Sequence, residues 1–111
     1  MERTNSFEGS VYVFSVNEND QIKIGSSRTP NKRIRTLLFG GGFTIKQQFI
    51  SPKCHNYQKL ETTLHEHFKV NRTVGEWFDV GFDKVTSMLP SLVYEILTPE
   101  DLLHLNEETA R

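Results

Sequence analysis

The sequence predicts an α+β fold: a small three-stranded antiparallel sheet flanked by helices, with a helical C-terminal extension. Two runs rich in β-branched and aromatic residues, SVYVFSV (10–16) and QIKIG (21–25), stand either side of the four turn-forming residues NEND, which is the pattern of a hairpin. A third such run, FTIKQQFI (43–50), lies between two segments whose apolar residues recur at helical spacing.

Within the hairpin, alternation puts Tyr12 and Phe14 on one face, Val11 and Val13 on the other, and Lys23 opposite to Ile22 and Ile24. Thr29 before Pro30 reads as an N-cap followed by the first helical position. The helix that follows turns Ile34, Leu37 and Leu38 inward and carries Lys32, Arg33 and Arg35 on its flanks. GGG (40–42) ends it. From Asn56 to Lys69, Tyr57, Leu60, Leu64 and Phe68 form a second helical stripe, and EWFDV (76–80) is a short extended segment. FDKVTSMLPSLVYEIL is helical on both sides of Pro90, which kinks or splits it. TPEDLLHL opens another helix, with Thr98 as N-cap, Pro99 first and Asp101 in the early turn, before a polar tail that frays. No repeat, low-complexity stretch or linker divides the chain, so one domain is expected: a flexible N-terminus (1–9), a core (10–80) and a helical extension (81–111).

Length and composition set limits on function. A chain of 111 residues suits one modest core, and 36% apolar with 24% charged residues excludes a disordered tail. No apolar run approaches the roughly 20 residues that cross a bilayer, and Met1–Gly9 is too polar for a signal peptide or an anchor. Cys54 stands alone, which rules out an internal disulfide and points to a reducing cytosol. The net charge of −1 hides a strong asymmetry: residues 1–20 carry −3, residues 21–72 carry +8 and residues 73–111 carry −6. Such a chain can hold a basic face for phosphate on an otherwise acidic surface, unless folding mixes the segments and cancels the field.

Several residue types invite chemistry, each with a plainer alternative. A Lys on the same sheet face as Tyr12 lowers a phenol's pKa or orients it as a base; the alternative is a rim Tyr and a solvent-facing Lys23. Glu61 and His65, four apart, stack on one helix face. Together they suit a Mg²⁺ ligand and a group that orients water or phosphate, or else form a solvated surface pair. Cys54, His55, His65 and His67 fit no common zinc spacing, Cys54 has no stronger case as a nucleophile, and His104 reads as a surface residue.

The spacings tie these residues together. SVY (Ser10–Tyr12), KIG (Lys23–Gly25) with its Lys eleven residues after the Tyr, Arg33 ten residues beyond, and Glu61 on a downstream helix resemble the GIY-YIG nuclease superfamily. The longer string VYVF…KIGSSRTPNKRIRTL…LETTLHEHF…GEWF is similar to its small phage and fungal branch, over about residues 10–80. That branch carries a Lys in place of the second Tyr and an E…H helix followed by EWF. The resemblance implies Tyr12 as general base and Lys23 as the residue that tunes it or contacts phosphate. It implies Arg33 as the stabiliser of the scissile phosphate, Glu61 as the one protein ligand of a single Mg²⁺ or Mn²⁺ ion, and Gly25 as the glycine that lets the Arg33 helix come close. Arg28, Lys32 and Arg35 would add general phosphate affinity along the same wall. Three departures stand against it: Ser10 replaces the usual first Gly, Leu37 replaces a His, and the later Asn has no counterpart, which leaves His65 to stand in as a proton carrier. Trp77 and Phe78 read as core before substrate contacts.

The implied activity is metal-dependent endonucleolytic cleavage of nucleic acid, DNA before RNA, in a bacterial or phage-infected cytosol, in a phage, mobile-element or host-defence role. The alternative on the same fold is a binding module with weak or lost catalysis. A structural protein-interaction domain that uses the acidic C-terminal helices ranks behind both. The length leaves no room for a separate recognition domain, so the chain is expected to dimerise, to act with loose specificity, or to depend on a protein partner for it.

Overall fold

Seven consecutive buried residues make Ser10–Val16 (β1) a strand that cannot lie at an edge. In the computed structural model, which describes residues 8–103, β1 runs antiparallel to Ile22–Ser27 (β2) on one side and to Ile45–Ile50 (β3) on the other. The α+β expectation holds, and the sheet gains a short fourth strand. Trp77–Phe78 (β4), from the segment expected to be extended, pairs with Ile22 and Lys23 on the far edge of β2, giving the order β3-β1-β2-β4. At the opposite edge, β3 exposes Lys46, Gln47 and Gln48, which discourages pairing with another chain.

Period-two alternation divides the core by sheet face. One face carries Val11, Val13, Ile22, Ile24 and Phe78, covered by Leu60, Leu64 and Phe68 from Tyr57–His67 (α2) and its end. Val85 of Phe82–Thr86 (α3) with Leu89 and Val93 of Leu89–Ile96 (α4) completes that layer. Leu60 and Leu64 are fully buried, and truncating either to Ala costs about 2–5 kcal/mol. The other face carries Tyr12, Phe14 and Val16 beneath Ile34 of Pro30–Gly41 (α1), with Leu37, Leu38, Phe43 and Trp77 around them.

Helix ends explain the breaks. Thr29 stands at the N-cap of α1 as expected, but its hydroxyl makes no cap bond; its own N–H donates to Ser27 Oγ at 2.9 Å, and Pro30 fills the first turn. Gly42 closes α1 with φ at 70°, a left-handed conformation that strains other residues. The helical segment around Pro90 is split, as expected, at Ser87 and Met88, and Pro90 sits in the first turn of α4, where a missing N–H costs little. A 3₁₀ turn (Lys69–Asn71) follows α2. Among the described residues no helix is long and apolar enough to cross a membrane.

The C-terminal part is fastened by one buried carboxylate. Thr98 and Asp101 cap each other reciprocally: Asp101 N–H donates to Thr98 Oγ1 at 3.1 Å, and Thr98 N–H to Asp101 Oδ2 at 3.0 Å. Residues 99–103 are helical beyond that cap. The same carboxylate reaches across to the loop before α2, where His55 Nδ1–H donates to Oδ1 at 2.8 Å and His55 N–H to Oδ2 at 3.3 Å. Glu8 Oε2 lies 3.6 Å from His55 Nδ1, and Gly9 exchanges backbone bonds with Cys54. Glu8 and Gly9 are thus buried, while the rest of the expected flexible N-terminus, His104 and the polar tail lie outside the described residues.

The hydrogen bond to Asp101 raises the His55 imidazole, against the effect of burial, and nearby carboxylates reinforce it. Burial alone would push Asp101 up, but bonds from Thr98 and His55 outweigh it and hold the carboxyl below its ordinary range. A depressed acid stabilises above its unfolded pKa and a raised base below its own, so this contact is at full strength between about pH 4 and about pH 6.5. In that window Asp101→Asn should cost about 1–3 kcal/mol. The difference should shrink as pH falls through the Asp101 value and as it rises through the His55 value. Urea unfolding of both proteins across pH checks this, and a difference independent of pH would rule out the His55–Asp101 contact as its source.

Candidate active site

The β1–β2 register sets Tyr12 opposite Gly25. The Tyr12 ring lies across the space a side chain at 25 would fill: a Cβ there would meet Tyr12 Cε1 at 2.8 Å, and Cζ and Oη closer still. The glycine therefore admits the phenol itself. From the flank of α1, the Arg33 guanidinium donates a hydrogen bond to the Tyr12 oxygen.

On the other side of β2, α2 is fastened by its Glu61–His65 pair. Ser26 Oγ–H donates to Glu61 Oε1. His65 Nε2 lies 2.9 Å from the Ile24 carbonyl and 3.5 Å from Glu61 Oε2. A carbonyl only accepts, so this nitrogen carries the proton, and the ring is held against Phe78 at 5.0 Å. Glu61 is thereby fixed at the outer edge of β2.

The third contribution comes from the turn before β4. Ile24 N–H donates to the Glu76 carbonyl at 3.1 Å, which places the Glu76 side chain beside the site. The Glu76 carboxyl hydrogen-bonds that of Glu61, and its Oε1 lies 3.9 Å from Lys23 Nζ. Lys23 also stands 5.4 Å from the Trp77 ring centroid, within cation–π range. The fold thus brings Tyr12, Lys23, Arg33, Glu61 and His65 near one another, and Glu76 joins them. Glu76 was in view within GEWF, but a two-residue strand does not reveal its partner from sequence. Arg28, Lys32 and Arg35 lie elsewhere, along a groove with Ser51 and Lys53.

Residues 9–93, a span that includes every one of these groups, match the T5orf172 domain. The chain belongs to the T5orf172 domain family. That domain is found in phage and nuclease-like proteins. No curated protein and no solved structure matches the chain.

The site of this T5orf172 domain is electrostatically mixed. Burial pushes the Tyr12 phenol above its ordinary range; the Arg33 hydrogen bond opposes that, and the Glu76 and Glu61 charges add to it. Burial likewise raises Glu76, reinforced by the Glu61 charge and hydrogen bond and opposed by Lys23 and His65. The Glu61 charge beside it thus disfavours ionisation of Glu76, an effect that a cation between the two would relieve. The donor set, carboxylate oxygens at a partly open edge, suits a hard divalent ion such as Mg²⁺ or Mn²⁺.

The remaining candidates do not form such a site. Among the described residues Glu8, His55 and Asp101 bring ligand-type atoms within 4.8 Å of one another, but Asp101 is already engaged by Thr98 and His55. Cys54, His65 and His67 enter no cluster of metal-ligating groups among the described residues. The Cys54 thiol is buried and pushed up to about 11, which leaves it inert as a nucleophile.

Because the Tyr12 ring occupies the space above Gly25, Gly25→Ala should destabilise the domain by about 1–3 kcal/mol, the range for overpacking a core. The penalty should fall well below that in a Tyr12→Leu background. Chemical denaturation of the four proteins in that cycle measures the coupling, and additive effects would mean that something other than the Tyr12 ring sets the need for glycine.

Proposed function

We propose that this T5orf172 domain is a metal-dependent endonuclease of the GIY-YIG type that hydrolyses phosphodiester bonds in nucleic acid, DNA before RNA. The observation that carries this reading is the convergence of Tyr12, Arg33 and Glu61, from a strand and two helices on opposite sheet faces, at one partly open edge of β2.

Each group has a role suited to its surroundings. Tyr12 is the general base that directs a water at phosphorus, a role for which its raised phenol must first lose its proton. Arg33 favours that loss, being bonded to the same oxygen, and sits where it can bind a phosphate oxygen beside it. Fixed guanidinium donors steady the charge that builds on the phosphoryl oxygens. Lys23 offers a second cation, held between Glu76 and Trp77. Glu61, with Glu76 as a second carboxylate, would hold one Mg²⁺ or Mn²⁺, which when bound polarises the phosphate and stabilises the leaving oxygen. His65 has its Nε2 proton committed to Ile24, so its part is to position Glu61 rather than to shuttle protons. A homodimer or protein partner would supply sequence specificity.

A binding module without catalysis is the second reading, favoured by Leu37. That position carries no proton donor and packs against the core under α1.

Cleavage of plasmid and single-stranded DNA with Mg²⁺ or Mn²⁺ separates the two. Wild type should cut only with metal, and Tyr12→Phe should be slower by roughly a hundredfold or more, the range for a lost general base. Glu61→Ala should lose metal-dependent cutting while retaining DNA binding. Absence of cutting by wild type, with salt-sensitive DNA binding retained, would establish the binding module instead.

A further inference from the structure

Helix α1 sends its cations in two directions. At about 100° per residue, Arg33 falls on the flank that meets Tyr12, while Lys32, Arg35 and Phe39 share a stripe on the far side of the helix. Along that stripe runs a groove of about 450 Å³ lined by Arg28, Lys32, Arg35 and Lys53, with no acidic residue in its wall. It meets, at Arg35, a cavity of about 730 Å³ lined by Phe39 and Phe43 at the C-terminal end of α1. That cavity in turn shares Thr36, Gly40 and Phe43 with a third, of about 290 Å³, whose wall includes Lys23 and Trp77. The three form a path from the Lys32–Lys53 groove, around the end of α1, to a side chain of the candidate active site.

Phe39 is the feature that demands an account. The residue is 93% exposed, one helical turn beyond Arg35. A single exposed apolar residue is ordinary on a protein surface. This one stands instead at the end of a row of cations, midway along a path without carboxylates. Cations at helical spacing suit successive phosphates, and a bare aromatic face suits a base. Bases inside a duplex already stack on their neighbours and offer no free face, so the ring fits an unpaired base.

We propose that Lys32, Arg35 and Phe39, with Lys53 across the groove, form a track for single-stranded nucleic acid, in which Phe39 stacks on an unpaired base and the cations hold the flanking phosphates. The inference rests on the nucleic-acid reading above and deepens it: the substrate is one with an unpaired segment next to the bond that is cut.

Fluorescence anisotropy with a labelled oligothymidine and a duplex of equal length, without divalent metal, tests the track apart from cleavage. Phe39→Ala should weaken single-strand binding roughly tenfold or more and change duplex binding less than twofold. Phe39→Trp should restore it. Lys32→Ala and Lys53→Ala should weaken both and flatten the salt dependence, by roughly 0.7 in log–log slope per lost single-strand contact. Equal losses on both substrates, or none with Phe39→Ala, would overturn the track. So would sedimentation showing a dimer that Phe39→Ala dissolves, which would assign the surface to a second copy of the chain. Cutting by wild type alongside unaltered single-strand binding by Phe39→Ala sinks this inference alone. Phe39-dependent single-strand binding without cutting leaves the track standing and removes the nuclease. Failure to bind either nucleic acid overturns both.

Discussion

The backbone of Ile24 is the junction on which the site depends. Its N–H donates to the Glu76 carbonyl and its C=O accepts from His65 Nε2, so the turn before β4 and the helix α2 are both fastened to one residue of β2. Its neighbours complete the arrangement: Gly25 lies under the Tyr12 ring and Ser26 bonds Glu61. Three consecutive residues thus gather groups from both sheet faces. The gathering is possible because β4 pairs only with Ile22 and Lys23, leaving the rest of that edge of β2 without a neighbouring strand. A full-length fourth strand would close the edge and separate the Tyr12–Arg33 side from the Glu61 side.

That geometry sets the electrostatics. A phenol raised by burial, a Glu76 carboxyl raised by burial and by Glu61, and two cations within reach form a mixed-charge centre. Perturbed groups gathered in this way mark a candidate functional site, and under the function proposed, phosphate with a divalent ion would bind there. The Asp101 contact is the structural counterpart, because there every strong interaction is satisfied within the chain: two backbone N–H groups and one imidazole meet one carboxylate. Similar residue types, an acid beside a histidine, therefore fasten the chain in one place and line the candidate site in the other. What separates them is exposure: the Asp101 side chain is fully buried, whereas those of Glu61 and Glu76 are part-exposed at the edge of β2.

The basic segment also divides in two once folded. In sequence, Arg28, Lys32, Arg33 and Arg35 form one cluster that reads as a single phosphate-facing wall. On the helix, two residues of separation carry Arg33 and Arg35 to opposite flanks, so only Arg33 joins Tyr12 while Lys32 and Arg35 face Lys53 across a different groove. Clustering along a chain and clustering in space agree only when the spacing matches the period of the element.

Local patterns by themselves determined the hairpin, the two amphipathic helices, the break near Pro90 and the Thr98–Asp101 cap, because alternation, helical spacing and capping act over a few residues. They also brought Tyr12, Lys23, Arg33, Glu61 and His65 forward as candidates, through spacings that carry a family resemblance. Only the tertiary structure decided the rest. It added β4, whose two residues are too few to show a period, and with it Glu76, whose place follows from a backbone bond to Ile24 rather than from any pattern around it. It assigned the Gly25 void to the Tyr12 ring, fixed the His65 proton on the nitrogen facing Ile24, and joined His55 to Asp101 across 46 positions of chain. Each of these is a contact between segments distant in sequence, and such contacts exist only once the sheet register and helix packing have brought the segments together.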